Sequence, residues 1–358
     1  MIPTGTPGSD RMRELIADLP TQLATSARLE GLASLVTPEQ PPRSMILVGM
    51  GGSAIAGDLV RPLLTTTRLD VHRDYGLPAW VDHRDLVLAS SYSGNTEETL
   101  AGWHEAGRRG CRRLALTSGG ELAQLASRDR VPTVTLPAGL PPRASLGYGL
   151  GALVRILERL GCVADGAGAL VAATAELERL GAGRLAVDAA TAAADAVDGA
   201  DNPHPHRVAR DLVGGLAVIH TAGNEAHATG VRFAAQLNEN SKVPALVAAY
   251  PELDHNELVG WSESADPTTG PVLMLLRAAE LPLRTARRVS VTDGLVSASF
   301  RARHTVSASG SGTLAGILSL VQWGDAVSWH LARLRGVDPV PVERIEDLKR
   351  ALASGPEN

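Results

Sequence analysis

The segment that decides the fold of this chain is Ser-Ser-Tyr-Ser-Gly-Asn-Thr-Glu-Glu-Thr-Leu at residues 90–100. It follows the apolar run 86–89, which predicts a buried strand, and it leads into a helix predicted to begin near Thr96. The free backbone N–H groups at the start of such a helix bind anions. The hydroxyls of Ser91, Ser93 and Thr96 add further donors. The segment therefore predicts a phosphate-binding turn.

The residues of this turn also indicate which kind of phosphate it binds. The turn contains no lysine, so it lacks the signature of nucleotide-binding loops, and a small phosphorylated molecule fits it better than ATP. The alternative is a helix that is capped by Ser and Thr side chains and binds no ligand. Because the hydroxyls exceed what capping needs, we favour the phosphate site.

Length, charge and cysteine content limit the class of protein. A chain of 358 residues can form two α/β domains with substantial cores. The net charge of −5, without a basic stripe, argues against nucleic acid as a partner. Two cysteines, Cys111 and Cys162, indicate a reducing compartment without disulfides. No apolar run approaches the roughly 20 residues of a membrane span, and residues 1–13 lack a signal-peptide core, so we expect a cytoplasmic protein that does not bind membranes.

Lysine is rare in this chain. Among 34 basic residues only Lys242 and Lys349 are lysines. A lysine can lose its proton when its pKa falls, whereas an arginine keeps its charge. The two lysines are therefore candidates for a functional role, with chance as the alternative explanation.

The first half alternates short apolar runs with helical patterns. One or two lead-in helices, broken near Pro20, precede strands predicted at 45–49, 69–73, 86–91, 113–117 and 131–136. This pattern predicts a doubly wound parallel sheet whose ligands lie beyond the carboxyl ends of the strands. The first strand runs into a glycine loop, Gly-Met-Gly-Gly-Ser at 49–53. A dinucleotide fingerprint would need a third glycine where Ala54 stands, so NAD is only weakly indicated.

The second half repeats the alternation after an alanine-rich stretch. Residues 164–200 predict a helical connection without chemistry, which divides the chain into domains 1–163 and 201–358. The predicted elements of the second domain are strands at 216–220, 271–276 and 295–300, a long helix from Gly312 to about Leu334, and a last helix from about Val342.

Three features of the second half have competing interpretations. Asn-Pro-His-Pro-His at 202–206 predicts a solvent-exposed turn rather than a metal site. Ser-Ala-Ser-Gly-Ser-Gly-Thr at 307–313 is similar to the first phosphate turn, but we favour a simple helix start and do not count it as a site. Trp323, Val327 and Leu331 form an apolar helix stripe that packs either on a second subunit or within its own chain.

Several segments together resemble a known family. Residues 91–99 resemble the phosphate-binding turn of sugar isomerase (SIS) domains. Pro-Arg-Ala-Ser-Leu-Gly-Tyr at 142–148, Asn-Glu-Asn-Ser-Lys at 238–242, Glu-Leu-Asp-His-Asn-Glu at 252–257 and Leu-Lys at 348–349 are similar, in the same order, to segments of the bifunctional phosphoglucose/phosphomannose isomerases. The resemblance spans nearly the whole chain. It implies two SIS-type doubly wound parallel-sheet domains, each an αβα sandwich.

The resemblance also implies roles for individual residues. It makes Glu239 the base, His255 the residue that opens the sugar ring, Lys349 a catalytic lysine, and Arg143 the residue that faces the reacting carbon atoms. From spacing alone, Arg143 would be a surface arginine without a partner, and the others would be ordinary surface residues. The resemblance further implies that the phosphate is bound by Gly52, Ser53, Ser91, Ser93 and Thr96, the last three of which belong to the turn described above.

The implied activity is an aldose–ketose isomerisation. Glucose 6-phosphate, and mannose 6-phosphate with it, would be converted to fructose 6-phosphate by ring opening and proton transfer through a cis-enediol, without a metal or other cofactor. Val342 stands where the family has a small hydroxyl residue that accommodates mannose, so this chain departs from the family pattern at the position tied to mannose 6-phosphate activity. The resemblance further implies a homodimer in which His255 enters the neighbouring subunit's site.

Two other functions compete with this one. The first is a non-catalytic SIS module that binds a sugar phosphate and regulates a partner; such modules usually carry a DNA-binding domain, and no basic helix-turn-helix is evident here. The second is a relative that acts on amino sugars. It would need an amide-transfer or deamination site, which we do not find in the sequence.

Overall fold

The computed structural model of the chain describes residues 6–354 except 36, 38, 187–201 and 263–269. Within these residues, parallel strands form two separate sheets with helices on their faces. The first half contains helices α1 (Pro7–Ala17), α2 (Leu19–Ser26), α3 (Gly51–Val60), α4 (Glu97–Arg108), α5 (Gly120–Arg128), α6 (Leu146–Arg159) and α7 (Gly166–Arg184), and strands β1 (Ser44–Val48), β2 (Arg68–His72), β3 (Leu86–Ser91), β4 (Arg112–Thr117) and β5 (Thr133–Thr135).

The second half repeats this layout with one strand fewer. Its helices are α8 (Pro205–Leu212), α9 (Ala226–Gln236), α10 (Glu257–Ser262), α11 (Leu283–Val296), α12 (Thr313–Arg335) and α13 (Glu343–Ala353), and its strands are β6 (Ala217–Ala222), β7 (Ala245–Ala249), β8 (Val272–Arg277) and β9 (Ala302–Ser307). The first sheet has the order β2-β1-β3-β4-β5 and the second the order β7-β6-β8-β9. The two halves thus share one doubly wound topology, as predicted.

The central strands are buried on both faces, which explains their apolar sequences. Every residue of β1, β3 and β6 is buried. Helices cover both sides of an all-parallel sheet, so its strands carry continuous apolar runs rather than alternating ones. The predicted strand at 86–91 is confirmed with its bounds unchanged. The break near Pro20 is also confirmed, because α1 ends at Ala17 and Pro20 lies in the first turn of α2.

Helix α12 connects the two cores. All residues from 314 to 332 are buried. Leu314 and Leu318 pack into the core of the first sheet, while Trp323, Val327 and Leu331 pack into that of the second. Apolar residues lie on every side of this segment, so the helix is buried all round, and buried polar side chains such as Gln322 and Asp325 bond within the protein. The stripe Trp323–Val327–Leu331 therefore packs within its own chain and supplies no surface for a second subunit.

One predicted strand is wrong. Residues 295–300 do not form a strand, because α11 continues to Val296 and a short 3₁₀ turn, Ser297–Ser299, follows it. The buried positions of α11, Val289, Thr292 and Val296, have helical spacing, and Leu295 between them is 63 % exposed. The strand in this part of the chain is β9, which begins at Ala302.

The predicted solvent-exposed turn at 202–206 is also wrong. The side chain of His204 is buried, its Nδ1 accepts the N–H of His206 at the start of α8, and its Nε2 lies 2.9 Å from the carbonyl oxygen of Gly183 in α7. Pro205 fits the first turn of α8, and the extended conformation of His204 directs the histidine inward as an N-cap.

The domain limits 1–163, 164–200 and 201–358 stay a prediction. Helix α7 occupies residues 166–184 of the predicted connection, and residues 187–200 lie outside the described part. Among the described residues, no helix has the length and apolar character needed to cross a bilayer.

Candidate active site

The turn after β3 presents its hydroxyls at the start of α4. Ser91 Oγ lies 2.8 Å from Thr96 Oγ1 and accepts the N–H of Gly94 at 3.1 Å, and Ser93 Oγ accepts the N–H of Asn95 at 3.2 Å. Thr96 precedes the first residue of α4, yet its side chain does not cap the helix. The alternative of a helix that is merely capped by these hydroxyls therefore does not hold, and the first N–H groups of α4 remain available to an anion.

Packing against the neighbouring loop holds this turn in place. Gly94 has a φ of +72°, and a Cβ atom there would lie 1.8 Å from the carbonyl oxygen of Gly119. The side-chain oxygen of Asn95 accepts the N–H of Glu121 at 2.9 Å, and the carbonyl of Gly94 accepts the N–H of Leu122 at the same distance. Glycine is therefore required at 94 for both its conformation and its lack of a side chain.

The glycine loop after β1 meets the same turn. Ser53 Oγ, in the first turn of α3, accepts the N–H of Tyr92 at 3.2 Å. A Cβ atom on Gly52 would lie 3.0 Å from the carbonyl oxygen of Pro142. The start of α3, the β3–α4 turn and the segment that carries Arg143 thus converge at the carboxyl edge of the first sheet, which is where doubly wound sheets bind ligands.

Arg143 is buried and donates hydrogen bonds to protein oxygens. It lies in a one-turn 3₁₀ helix, Pro142–Ala144, and is only 5 % exposed. Its Nε donates to Asn240 Oδ1 at 2.8 Å, and its Nη1 lies 3.4 Å from Glu239 Oε2. Burial lowers the pKa of the Arg143 guanidinium, while the Glu239 carboxylate opposes this shift. The alternative of a surface arginine without a partner is therefore excluded.

Glu239 lies in a π-helical turn at the end of α9. This turn, Leu237–Ser241, is anchored on α12, because Asn240 Nδ2 donates to Ser328 Oγ at 3.0 Å and Ser241 Oγ donates to the Ser328 carbonyl at 2.7 Å. The Glu239 side chain is 30 % exposed. Such π-turns recur at functional sites because they redirect side chains out of helical register. Here the result is a carboxylate that solvent reaches and that faces a buried cation.

His255 and Lys349 lie apart from these residues. The turn that carries Glu239 precedes the amino end of β7, whereas His255 follows its carboxyl end, and the five residues of β7 span about 16 Å. Asp254 holds the His255 segment on α11 by accepting from Arg288 at 3.1 Å and from Thr292 at 2.8 Å. His255 itself is exposed.

Lys349 is exposed in α13, and within the described residues neither its side chain nor that of His255 makes a hydrogen bond or ion pair. The structure thus brings the phosphate-turn residues, Arg143 and Glu239 into one region, while His255 and Lys349 remain at the surface of this chain.

Sequence reasoning missed several residues of this region. Asn240 orients Arg143, and the carbonyls of Pro339 and Val340 accept from Arg143 Nη2 at 2.6 and 2.9 Å. Backbone carbonyls leave no signal in a sequence. Lys242, whose Nζ donates to the carbonyl of Glu239, was signalled by the rarity of lysine, but no role followed from that.

A buried histidine beneath the His255 segment was missed as well. His220, in the central strand β6, is 1 % exposed, and its Nε2 lies 3.3 Å from Glu257 Oε2. Burial lowers the pKa of His220, and the Glu257 carboxylate opposes the shift. Within the described part of the chain, no group of three or more His, Cys, Asp or Glu side chains is arranged to hold a metal ion.

Comparison with known proteins agrees with this geometry. The family model for the "Bacterial phospho-glucose isomerase C-terminal SIS domain" matches residues 202–352. A bifunctional phosphoglucose/phosphomannose isomerase of Caldicellulosiruptor bescii is 33 % identical over 96 % of this chain and 99 % of that protein. One of Aquifex aeolicus is 33 % identical over 87 % of this chain and 91 % of that protein.

Solved structures show the same fold. The crystal structure of a hypothetical protein from Thermus thermophilus superposes with a TM-score of 0.71 at 18 % identity, covering 98 % of this chain and 92 % of that one. The fold is therefore the predicted pair of SIS-type αβα sandwiches. The identity with full-length relatives shows that the chain belongs to the family of bifunctional phosphoglucose/phosphomannose isomerases, which are SIS-domain isomerases.

Proposed function

We propose that this chain is a metal-independent isomerase that interconverts glucose 6-phosphate, and with it mannose 6-phosphate, with fructose 6-phosphate. The observation that carries the proposal is the pairing of Arg143 with Glu239, where Nη1 and Oε2 are 3.4 Å apart. Isomerisation needs a carboxylate to move a proton and a cation to stabilise the enediolate. A partly exposed glutamate beside a buried arginine matches both requirements.

The phosphate turn supplies the binding part of the proposal. The donors that face the sugar phosphate are the N–H groups at the start of α4 and the hydroxyls of Ser91, Ser93 and Thr96, with Gly52 and Ser53 at the start of α3 beside them. Binding the phosphate at the carboxyl edge of the first sheet leaves the sugar to extend toward Arg143, whose segment adjoins Gly52.

The proton transfer is assigned to Glu239. In the open-chain aldose, Glu239 takes the proton from C2, and the C1 carbonyl oxygen becomes an enediolate oxygen. The proton of the C2 hydroxyl then passes to the C1 oxygen, and the same carboxyl returns its proton to C1 as the C2 carbonyl forms. Arg143 stabilises the enediolate through Nη1, because its Nε and Nη2 already donate to protein oxygens. His255 is assigned to ring opening, and Lys349 to the role of the catalytic lysine, as the family resemblance implies.

The position of His255 leads us to infer a shared site. His255 and Glu239 flank opposite ends of β7, so one chain does not bring them together through this strand. A homodimer with two-fold symmetry, the commonest closed assembly, allows His255 of one subunit to complete the site of the other. We expect neither nucleic acid nor a membrane among the partners, and we expect the protein in the cytoplasm.

Subunit complementation tests the shared site. The inactive variants His255→Ala and Glu239→Gln are mixed and allowed to exchange subunits. If His255 crosses the interface, each mixed dimer has one intact site, and activity returns to about a quarter of wild type at statistical exchange. If activity stays absent while mass spectrometry confirms mixed dimers, the shared site is wrong and the isomerase proposal stands.

A coupled assay with each aldose phosphate tests the activity itself. We expect fructose 6-phosphate to form from glucose 6-phosphate, and more slowly from mannose 6-phosphate, in the presence of EDTA. Binding of sugar phosphate without turnover would instead support a regulatory SIS module. Inactivation by EDTA that added zinc reverses would contradict the metal-free mechanism.

A further inference from the structure

Lys242 ends the turn that carries Glu239. It adopts a left-handed conformation with a φ of +57°, which is uncommon for a residue with a side chain. Its Nζ donates to the carbonyl oxygen of Glu239 at 2.5 Å and to that of Pro341 at 2.7 Å. The side chain therefore joins the turn to a distant part of the chain, 99 residues further on.

Pro341 belongs to a short connection between α12 and α13, which we call the C-terminal strap and define as residues 338–341. Three consecutive carbonyls of this strap accept hydrogen bonds from two cations. Those of Pro339 and Val340 accept from Arg143, and that of Pro341 accepts from Lys242. Both cations also contact Glu239, Arg143 at the carboxylate and Lys242 at the backbone carbonyl. The strap, the turn and the proposed oxyanion-binding arginine thus form one connected unit.

Other contacts hold the turn without reaching the strap. Arg335, in the last turn of α12, donates to the carbonyls of Ser241 and Lys242 at 2.9 and 3.0 Å. Ser328 bonds to Asn240 and Ser241. These contacts fix the turn on α12, whereas Lys242 fixes it on the strap from which α13 and Lys349 follow.

The chemistry of this contact suits a lysine. A compact ammonium group carries three donors, and here it bonds to two carbonyls from separate segments of the chain, those of Glu239 and Pro341. In a chain with 34 basic residues, a lysine stands at this position and at one other. Burial and the nearby Arg143 both lower the pKa of the Lys242 ammonium, which indicates that the two cations share one partly desolvated region.

We propose that Lys242 is a positioning residue for the isomerisation: its ammonium ties the turn that carries Glu239 to the C-terminal strap and so keeps Glu239 aligned with Arg143 during turnover. The inference rests on the proposed role of Glu239 as the base. A displacement of about 1 Å at a reacting group can cost about 100-fold in rate. Loss of the Lys242 contact should therefore reduce kcat, while substrate binding through the phosphate turn of the other sheet is retained.

The test compares Lys242→Met, which keeps most of the length of the side chain and removes its charge, with Arg335→Gln. The second variant weakens bonds to the same turn but leaves the strap contact intact. We expect Lys242→Met to lower kcat by about 10- to 100-fold with KM within about threefold of wild type. Hydrogen exchange in residues 338–346 should become faster. Arg335→Gln should stay within about fivefold in kcat and leave that exchange unchanged.

Because Lys242 is exposed, we expect its variants to fold, and Lys242→Gln serves as a second variant if the methionine form proves unstable. The inference is overturned if kcat of a folded Lys242 variant stays within about threefold of wild type, or if Arg335→Gln has the same effect on kcat and on exchange. Glu239→Gln is assayed in parallel. If that variant keeps activity, the proposed function fails; if it is inactive and the Lys242 variants are normal, only the positioning role fails.

Discussion

The turn after β3 and the turn after β9 have similar compositions, since each combines serines, at least one glycine and a threonine before a helix. Their hydrogen bonds differ. After β3, Ser91 and Thr96 bond to each other and leave the start of α4 uncapped. After β9, Ser309 Oγ donates to Glu176 Oε1 at 2.6 Å, and its N–H donates to Ser319 Oγ at 2.9 Å. In the second turn, both the hydroxyl and the N–H of Ser309 therefore donate to other side chains of the protein.

Position in the sheet separates the two turns as well. The orders β2-β1-β3-β4 and β7-β6-β8-β9 match strand for strand, so the equivalent of β3 is β8 and not β9. The serine-rich turn of the second half thus lies one strand away from the position of the phosphate turn, at the edge of its sheet. This position agrees with our prediction of a simple helix start, and we do not propose a second phosphate site here.

A charged side chain beside the β9 turn also argues against a phosphate site there. The carboxylate of Glu176, which is buried, contacts Ser309, and hydrogen bonds from Arg179 hold the pKa of that carboxyl below its usual range. The hydroxyl of Ser309 donates to this ionised carboxylate and is therefore not free to donate to a phosphate. The composition of a turn therefore predicts a phosphate site only when the turn follows the right strand of the sheet and its donors are free.

The largest effect should come from a residue outside both turns. If the β3 turn binds the phosphate and takes no part in the proton transfer, then Glu239→Gln should abolish isomerisation and preserve substrate binding. The substitution removes the proton carrier and changes the side-chain volume little. We expect a loss of at least about 10³-fold in kcat. Titration calorimetry with a phosphorylated inhibitor should give a Kd close to that of wild type. Activity within tenfold of wild type would contradict the assignment of the base.

The comparison itself is tested by paired variants in the two turns. Ser91→Ala with Thr96→Ala removes donors from the β3 turn, and Ser309→Ala with Ser311→Ala makes the same change after β9. We expect the first pair to raise KM for the substrate and Kd for a phosphorylated inhibitor by about 100-fold or more, since each of the two lost hydrogen bonds to a charged group is worth about 1.5–3 kcal/mol.

The second pair should leave both constants within about twofold, although it removes the contact with Glu176 and lowers the melting temperature. Equal effects of the two pairs on KM would show that the two turns do not differ in phosphate binding. An unchanged Kd in the first pair would show that the phosphate binds elsewhere.

Much of the fold follows from the sequence because local rules dominate there. The strand at 86–91 is an apolar run between polar residues, and α2 begins where Pro20 fits the first helical turn. The failure at 295–300 has the same origin. Val296 and Phe300 are both buried and apolar, but the helical spacing of Val289, Thr292 and Val296 determines the element, and a short window does not reveal it.

The site was less predictable because its contacts are long-range. Arg143 bonds to Asn240, which is 97 residues away, and to the carbonyls of Pro339 and Val340, nearly 200 residues away. No spacing in a sequence encodes such a meeting. The family resemblance nominated Arg143 and Glu239, and it did not indicate that Lys242 and the strap connect them.

A smaller effect is expected at Val342, a position that concerns the sugar of the substrate rather than its phosphate. Val342 precedes α13 and follows Pro341 of the strap, and the family resemblance puts a small hydroxyl residue here. Val342→Thr should raise the ratio of mannose 6-phosphate to glucose 6-phosphate activity by about fivefold or more, at the low end of what one pocket group contributes. Val342→Ala adds space without a hydroxyl and is the matched control. If neither variant moves the ratio of kcat/KM values, the position does not determine epimer preference.

The two halves should also differ in their response to acid. In the first half, the pKa values of Asp85, Glu105 and Asp129 are lowered by hydrogen bonds, several of them from arginines, that outweigh the effect of burial. Folded carboxyls with lowered pKa values lose their stabilisation only below about pH 4. In the second half, burial lowers the pKa of His304, and it lowers the pKa of His330 to about 3.

A histidine that stays neutral in the folded protein but binds a proton when unfolded, with a pKa of about 6.5, favours unfolding as soon as the pH falls below that value. The second half should therefore weaken first. For His330, which is 1 % exposed, the loss between pH 6.5 and 5 is about 2 kcal/mol, since each pH unit counts for about 1.4 kcal/mol.

We expect the melting temperature to fall by a few degrees from pH 7 to pH 5, and hydrogen exchange to rise in α8 and α12 before it rises in β1 and β3. The variant His330→Gln provides the control. Glutamine keeps a neutral donor for the carbonyl of Arg184, which His330 Nε2 contacts at 2.8 Å, but it does not titrate. Its melting temperature should be lower than that of wild type at pH 7 and should depend less on pH. A wild-type melting temperature that is constant from pH 7 to pH 5, or exchange that rises first in the first sheet, would show that the buried histidines do not set the acid limit of the second half.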